Sequence, residues 1–177
     1  DAFRSVSRYF DRITRPEQIL SSLPQAINTM LDPSDCGPAV ISMSQDVQGE
    51  AYEYPEIFFE ETIHEIRTIH PDPKQINIAA ENLKNSKQPI IISGGGVLYS
   101  EAEEEISSFA KKHNIPVIAT VMGIGSMHKD DPFYIGATGG LGEGSANNLS
   151  RDTDLALAIG TKLADFTTAS WTNFQNE

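Results

Sequence analysis

The sequence predicts an α/β protein whose main part is a parallel Rossmann-like sheet with flanking helices, preceded by a partial helix–strand unit. Helical and strand patterns alternate from residue 75 onward, which is typical of right-handed β-α-β units. The run Pro89–Ser93 is almost wholly apolar, as strands covered on both faces of a parallel sheet are. Gly94–Gly96 follow directly, and three glycines allow the chain to turn sharply and to approach another group closely.

Composition restricts the class of protein and of partner. The chain has 177 residues and a formal net charge of −12, and its Lys and Arg residues are not clustered. This charge argues against binding of nucleic acid or of an anionic membrane surface. Cys36 is the single cysteine, which excludes an intrachain disulfide and favours the cytoplasm. The sequence has no signal-peptide pattern and no apolar run long enough to span a membrane. Because it begins at Asp1 and not at a methionine, we expect it to be a segment of a longer protein.

Residues 1–50 are predicted to be one incomplete unit. Thr14–Glu17 has the form of a capping box, with a proline in the first helical turn. A helical apolar stripe follows at Leu20, Leu23, Ile27, Met30 and Leu31. Pro24 is expected to kink this helix or to divide it in two. Gly37–Met43 is a short strand pattern, and one helix with one strand cannot enclose a core.

Residues 51–74 are rich in Glu, Tyr and Pro and are predicted to be a linker, with a short helix at Phe58–Ile69. Residues 75–177 are predicted to form the second domain. Its helices are expected around Ile76–Leu83, Ala102–Ala110 and Ala146–Leu149, the second capped by Ser100 or the preceding loop, and its strands at Pro89–Ser93, Ile115–Thr120 and Asp154–Ile159.

Glycine-rich loops follow the predicted strands of the second domain. Ligands of open parallel sheets lie at the carboxyl ends of the strands, where such loops converge on one edge. The pattern therefore predicts a nucleotide-shaped cleft at that edge. The candidate cofactor-binding residues are Gly94, Gly95, Gly96, Met122, Gly123, Gly139, Gly140, Gly142, Gly160, Lys162 and Asp165.

Several nucleotide and metal motifs are incomplete. The dinucleotide fingerprint G-x-G-x-x-G has Tyr99 at its third glycine position, and Thr120 stands where an acidic ribose ligand is expected. A turn packed against the helix behind it is the competing interpretation of Gly94–Gly96. Lys162 after a strand-end glycine could meet a phosphate with Asp165 orienting it, or the two could form a loop salt bridge. The zinc motif H-E-x-x-H is broken by Thr68, and no phosphate-loop motif G-x-x-x-x-G-K-[ST] occurs.

The order of the motifs resembles thiamine diphosphate-dependent enzymes of the acetohydroxyacid synthase type. GPAVISMSQDV (37–47) is similar to the last strand of their pyrimidine-binding domain, although Ser44 replaces a usual proline. KQPIIISGGGVLYSEAEEEISSFAKKHNIPVIATVMGIGS (87–126) and DTDLALAIGTKLADFTT (152–168) are similar to their central domain. FRSVSRYFDRITRPEQ (3–18) and GTKLADFTTASWTNF (160–174) most resemble the subgroup that hydrolyses a cyclic 1,2-diketone in inositol breakdown, whereas the loop TVMGIGSM (120–127) is closer to the synthases.

This resemblance implies that residues 1–50 are the C-terminal part of a pyrimidine-binding domain, 51–74 a linker and 75–177 an incomplete central domain. It implies thiamine diphosphate and Mg²⁺ as cofactors of the parent enzyme. A glutamate in an earlier segment would activate the thiazolium C2, and a G-D-G…N motif in a later segment would hold the diphosphate and Mg²⁺; no G-D-G occurs here. No catalytic residue and no metal ligand is therefore assigned, and the chain alone is expected to be inactive.

Some relatives hold FAD or ADP on the central domain, so either nucleotide could bind at the glycine loops. The expected partners are a small cyclic diketone and further copies in a homo-oligomer, with residues 1–50 partly mobile or packed on a neighbouring molecule. The alternatives are an acetohydroxyacid synthase-like enzyme and a free-standing nucleotide-binding module.

Overall fold

The computed structural model describes residues 1–176, and its contacts divide the chain into two compact units, Asp1–Pro71 and Asp72–Glu177. The predicted linker, residues 51–74, falls mostly within the first of these units. The predicted division into three parts stays a prediction. No helix in residues 1–176 has both the length and the apolar character needed to cross a bilayer.

The first unit is built around two parallel strands. Strand β1 spans Tyr9–Ile13, helix α1 spans Ile19–Leu31, and strand β2 spans Ala39–Met43. The two strands pair in parallel along their full length, with α1 as the crossover between them. The sequence predicted only the second strand. Asp11 and Arg12 interrupt the apolar pattern of the first, which hid β1.

Hydrogen bonds accommodate the carboxylate of Asp11 within β1. Ser22 Oγ donates to it from α1, and the backbone N–H of Arg12 donates at 2.8 Å. These donors, that of Ser22 first, lower the pKa of Asp11. A charged residue thus joins the strand to its crossover helix.

The start of helix α1 differs from the predicted capping box. Gln18, not Glu17, supplies the acceptor: its Oε1 accepts from the backbone N–H groups of Thr14 at 2.7 Å and Arg15 at 3.0 Å. A kink or a division of the helix was expected at Pro24; the helix runs unbroken through Pro24, so the division is wrong.

The stretch after β2 contains a short helix, α2, at Gln45–Gln48 and a single 3₁₀ turn at Glu56–Phe59. The helix predicted at Phe58–Ile69 is wrong, because residues 60–69 have no helical structure. Ile63, Ile66 and Ile69 are exposed. A short helix without a packed apolar face is marginal in water, which accounts for the difference.

The second unit is a parallel sheet covered by helices, as the sequence predicted, but it has four strands rather than the three predicted. In chain order its elements are α3 (Pro73–Asn85), β3 (Pro89–Ser93), α4 (Gly95–Tyr99), α5 (Glu103–His113), β4 (Val117–Ala119), β5 (Tyr134–Ala137), α6 (Gly144–Asp152), β6 (Leu155–Ile159) and α7 (Asp165–Thr168). The strand order is β5-β4-β3-β6.

Two details of this unit correct the sequence-based expectations. Strand β5 was not predicted, because four residues that include Gly136 give a weak strand pattern. Ser100 does not cap α5; it ends α4, while Ala102 precedes α5 and makes no capping hydrogen bond through its side chain.

Strand β3 is the centre of the core and is buried on both faces. Ile91 packs on one face with Val97, Ile106, Ala110, Ile115, Val117 and Met127. Ile90 and Ile92 pack on the other face with Ile118 and Ala146. The continuous apolar run in the sequence therefore reflects a strand covered by helices on both sides.

Asp154 joins the amino ends of the two strands β3 and β6. Its carboxylate accepts hydrogen bonds from Ser86 Oγ and from the backbone N–H groups of Lys87 at 2.7 Å and Gln88 at 3.0 Å. These donors, that of Ser86 first, lower the pKa of Asp154. The neighbouring Thr153 Oγ1 donates to Gln88 O at 2.6 Å, so the turn before β3 is held at several points.

Replacing Asp154 by Asn should destabilise the protein in a pH-dependent manner. The lowered pKa means that the carboxylate stabilises the fold fully above its unfolded pKa of about 3.9, and that this contribution is lost as the pH falls through the folded pKa. We therefore expect D154N to lower the urea midpoint clearly at about pH 7 and only slightly at about pH 3.

The matched control is Asp152→Asn, which removes the same charge from a carboxylate that makes no hydrogen bond within residues 1–176. It should leave the urea midpoint nearly unchanged at both pH values. An equal loss in the two variants, or a pH-independent loss in D154N, would contradict the role given to the Asp154 carboxylate.

Candidate functional site

The loops that follow β3, β4, β5 and β6 meet at the carboxyl edge of the second unit's sheet, where the sequence placed the candidate cleft. Neighbouring loops touch through their backbones: the glycines after β3 contact the loop after β6, and the loop after β4 contacts the end of β3. The predicted convergence of the loops therefore occurs. The short distances at their glycines show that these residues allow the loops to pack closely.

The contact between the β3 and β6 loops requires glycine on both sides. A Cβ atom at Gly96 would lie 2.6 Å from Gly160 Cα, and one at Gly160 would lie 2.7 Å from Gly96 Cα. A Cβ at Gly94 would overlap Thr161 and Gly160. Gly160 also has φ +61°, which favours glycine.

Hydrogen bonds reinforce the same junction. The Gly94 N–H donates to Ile159 O at 2.9 Å, and the Gly96 N–H donates to Gly160 O at 2.8 Å. Two of the N–H groups that a phosphate-binding loop would present are thus used inside the protein. Gly95 lies in the first turn of α4 and faces the backbone of Met122.

The loop after β4 is fixed to the end of β3. A side chain at Gly123 would overlap the backbone oxygen of Ser93. The Gly123 N–H donates to Thr120 O at 2.8 Å, and the buried hydroxyl of Ser93 donates to Ser126 Oγ at 2.5 Å. The side chain of Met122, in contrast, is 70% exposed and points away from this packing.

An asparagine that the sequence interpretation missed organises the loop after β5. Asn147, on α6, accepts through Oδ1 from the Gly139 N–H at 2.8 Å, from Thr138 Oγ1 at 3.1 Å and from Asn173 Nδ2 at 3.1 Å. Its own Nδ2 donates to Gly139 O at 3.1 Å. No sequence motif marks this cluster, because Asn173 lies 26 residues from Asn147 along the chain.

The loop after β5 also touches the segment after β6. Gly139 has φ +103°, and a side chain there would overlap Phe166 O. The Gly140 N–H donates to the same Phe166 oxygen at 2.8 Å. A Cβ at Gly142 would lie 2.6 Å from Ala137 O. The nearest atom to a Cβ at Gly140 is a Phe166 ring carbon at 3.9 Å, so Gly140 keeps an open side.

Lys162 and Asp165 are exposed and do not pair with each other. Among residues 1–176 neither side chain has an ion-pair partner, so the salt bridge weighed for them does not form. The backbone oxygen of Asp165 accepts a hydrogen bond from the Ser170 N–H at 3.0 Å. This bond stabilises the turn that follows α7 and does not involve the Asp165 carboxylate.

An apolar surface surrounds these loops. Met122, Leu141, Phe166 and Trp171 are all more than half exposed at the same edge. Trp171 follows Ala169 and Ser170 in a run of left-handed residues with φ of 49°, 54° and 60°, a conformation that costs roughly 1–2 kcal/mol per non-glycine residue. Thr168 Oγ1 accepts a hydrogen bond from the Trp171 N–H at 3.1 Å, which helps to stabilise this left-handed backbone conformation.

Within residues 1–176 there is no group of three or more His, Cys, Asp or Glu side chains that could hold a metal ion. The edge therefore offers the exposed rings of Phe166 and Trp171, the exposed cation of Lys162 and an open backbone position at Gly140. Rings and a cation in this arrangement are suited to a flat or apolar group that carries a negative charge. In the part of the chain that the structure describes, no acid, base and nucleophile come together at this edge.

A family model described as the thiamine pyrophosphate enzyme central domain matches residues 76–177. The chain belongs to this family. The resemblance stated from the motifs is confirmed, and the parallel sheet with flanking helices agrees with it.

Curated relatives match the whole chain. Proteins named 3D-(3,5/4)-trihydroxycyclohexane-1,2-dione hydrolase are 44% identical in Shouchella clausii (strain KSM-K16) and 42% identical in Bacillus thuringiensis (strain Al Hakam) and Bacillus cereus (strain 03BB102). Each alignment covers all 177 residues of this chain and 28% of the relative. The chain thus spans little more than a quarter of the length of the relatives it matches.

Substituting Gly96 by Ala should destabilise the protein by about 1–3 kcal/mol, because the new methyl group must displace the backbone of Gly160. Urea denaturation followed by circular dichroism measures the change. Gly144→Ala is the matched control, since nothing lies within 4 Å of a Cβ at that position. If G96A and G144A had the same stability, the close contact between the two loops would not be a constraint on the fold.

Proposed function

We propose that this chain is a segment of a cytoplasmic thiamine diphosphate-dependent enzyme that hydrolytically opens the ring of 3D-(3,5/4)-trihydroxycyclohexane-1,2-dione in inositol breakdown. The observation that carries the proposal is 42–44% identity over all 177 residues to hydrolases of that name. The similarity includes residues 1–75, outside the family-model match, so it does not rest on the shared central domain alone. The alternative is an enzyme like acetohydroxyacid synthase, which the loop 120–127 favours.

In this proposal residues 1–50 end the pyrimidine-binding domain, residues 51–74 are a linker, and residues 75–177 are most of the central domain. The start of the family match at residue 76 and the contact boundary after Pro71 support the second division. The parent enzyme is expected to be a homo-oligomer.

In this proposal the thiamine cofactor is held by other segments of the parent enzyme and not by residues 1–176. The sequence has no G-D-G motif, and residues 1–176 contain no acidic or His cluster for Mg²⁺. Cleavage chemistry of this kind belongs to the cofactor, which acts as the electron sink. The proposed role of the chain is therefore to form a rigid platform, and the chain alone should not open the ring.

Nucleotide binding at the carboxyl edge is a second proposal, with FAD or ADP as the ligand. The exposed rings of Phe166 and Trp171 favour it, as does the exposed cation of Lys162, which has no ion-pair partner within residues 1–176. Gly140 would offer its open side, Gly95 faces Met122, and the side chains of Met122 and Asp165 are exposed in the neighbouring loops. Gly94, Gly96, Gly123, Gly139, Gly142 and Gly160 would act by shaping the loops. The same contacts would also suit a free-standing nucleotide-binding module.

A segment exchange tests the hydrolase proposal. The aligned segment of the Shouchella clausii relative is replaced by these 177 residues, and loss of the cyclic diketone is measured with thiamine diphosphate and Mg²⁺. We expect the chimera to keep activity within about tenfold of the parent, a difference of about 1.4 kcal/mol in the barrier.

The control chimera carries Gly96→Val in the inserted segment, which should prevent folding and activity. A chimera that folds and binds thiamine diphosphate but does not open the ring would contradict the proposed substrate. Ring opening by the separate 177-residue chain would contradict the platform role.

Calorimetric titration with FAD, ADP and NAD tests nucleotide binding. We expect FAD or ADP to bind and NAD to bind more weakly, because the dinucleotide fingerprint is incomplete. Lys162→Ala should weaken binding about tenfold through loss of a phosphate contact. Lys112→Ala, at the other end of the sheet, is the charge-matched control. No heat with any nucleotide would overturn this second proposal without affecting the first.

A further inference from the structure

One side-chain amide, that of Asn147 on α6, bonds both backbone groups of Gly139. Asn147 Oδ1 accepts from the Gly139 N–H at 2.8 Å, and Asn147 Nδ2 donates to Gly139 O at 3.1 Å. Because a backbone N–H only donates and a backbone C=O only accepts, this pair of bonds fixes the orientation of the amide. Asn147 therefore holds the turn after β5 at the residue that precedes Gly140, the position with an open side.

The segment that carries two exposed rings, residues 166–171, is bonded to the same turn at its start. The Gly140 N–H donates to Phe166 O at 2.8 Å, and a Cβ atom at Gly139 would overlap that oxygen. The ring of Phe166 lies beside Gly140, with Cδ1 3.9 Å from the position of a Cβ there. The start of this ring-bearing segment therefore follows the turn that Asn147 holds.

The same amide is also bonded to the residues that end the ring-bearing segment. Asn173 is 3% exposed, and its Nδ2 donates to Asn147 Oδ1 at 3.1 Å and to Thr138 Oγ1 at 3.2 Å. The Asn173 N–H donates to Thr168 O at 3.3 Å, and Thr168 Oγ1 accepts from the Trp171 N–H at 3.1 Å. The segment is thus held on both sides by Asn147 and the turn after β5.

The backbone between these two attachments is strained. Ala169, Ser170 and Trp171 are non-glycine residues in the left-handed region. Residues keep such a conformation only where the surrounding structure fixes it, and they cluster at ligand-binding positions. The fixing contacts here are the hydrogen bonds on either side of the run. Loss of the Asn147 amide would release one side, and relaxation of the run would move the Trp171 ring.

We propose that Asn147 is a positioning residue for the nucleotide at the carboxyl edge. Its amide sets the rings of Phe166 and Trp171 relative to the open side of Gly140, so that the flat ring of the ligand meets a preformed surface. A preformed surface loses less conformational freedom on binding. This inference rests on the proposal of nucleotide binding and adds the residue on which the shape of that site depends. Asn147 acts through the backbones that it bonds and does not itself contact the ligand.

Trp171 fluorescence measures the position of the ring-bearing segment directly, because the sequence contains a single tryptophan. Asn147→Ala removes the four hydrogen bonds of the amide. Without any nucleotide present, we expect N147A to increase acrylamide quenching of Trp171 and to lower its fluorescence anisotropy. In calorimetric titration N147A should bind FAD or ADP about tenfold more weakly than the original chain does.

Two control variants separate positioning from stability. Asn148→Ala makes the same change at the next residue of α6, where the exposed side chain forms no hydrogen bond within residues 1–176. It should leave Trp171 fluorescence and nucleotide affinity unchanged. Asp154→Asn is expected to lower stability at the amino end of the sheet, and without denaturant it should not alter Trp171 quenching or anisotropy.

Equal Trp171 quenching in N147A and N148A would overturn the proposal, because the amide would then not hold the ring-bearing segment. If the original chain and N147A bind the nucleotide equally well, the positioning role fails and the nucleotide proposal stands. If the original chain binds neither FAD nor ADP, the nucleotide proposal fails and the positioning role fails with it.

Hydrogen exchange on the original chain decides the matter if N147A does not fold. Saturation with ADP should slow exchange at the Gly139 and Trp171 amides together, by factors within about threefold of each other, because one network holds both. Slowing at only one of these amides would contradict the proposal.

Discussion

Close contact between two backbones, at Gly96 and Gly160, is the constraint on which the carboxyl edge of the sheet depends. The two loops lie so near that neither position has room for a Cβ atom, and the Gly96 N–H donates directly to Gly160 O. This contact holds the carboxyl ends of β3 and β6 together. The loop after β4 then packs on the end of β3 through Gly123. The packing of one pair of glycines thus fixes the positions of the neighbouring loops.

This close contact also changes how the glycine-rich turn after β3 is interpreted. A run such as Gly94–Gly96 has the composition of a phosphate-binding turn, but two of its N–H groups are already bonded to the β6 side. The features that remain available to a ligand are side chains and the open face at Gly140. The side chains of Phe166, Trp171 and Lys162 are exposed at this edge, whereas most of its glycines are used in packing one loop against another.

The sequence predicted those parts of the fold whose signal is local. Strand β3 was predicted correctly because burial on both faces leaves an uninterrupted apolar run. Strand β1 was missed because Asp11 lies within it, and its long-range hydrogen bond with Ser22 on α1 cannot be read from the local sequence. The cluster of Asn147 with Asn173 was missed for a similar reason: its members meet only after β5, α6 and the C-terminal turns have assembled. Long-range polar contacts leave no periodic pattern.

Strand β6 shows how these contacts combine on a single element. At its amino end the Asp154 carboxylate joins it to the turn before β3, and at its carboxyl end Gly160 packs against Gly96. Between these points it pairs with β3 over five residues in unbroken register, from Leu155 opposite Pro89 to Ile159 opposite Ser93. Because both ends of this pair are held, β6 cannot slip in register against β3 without breaking the Asp154 hydrogen bonds or the glycine contact. The contacts at the two ends therefore fix which residues of the loops after β3 and β6 meet at the carboxyl edge.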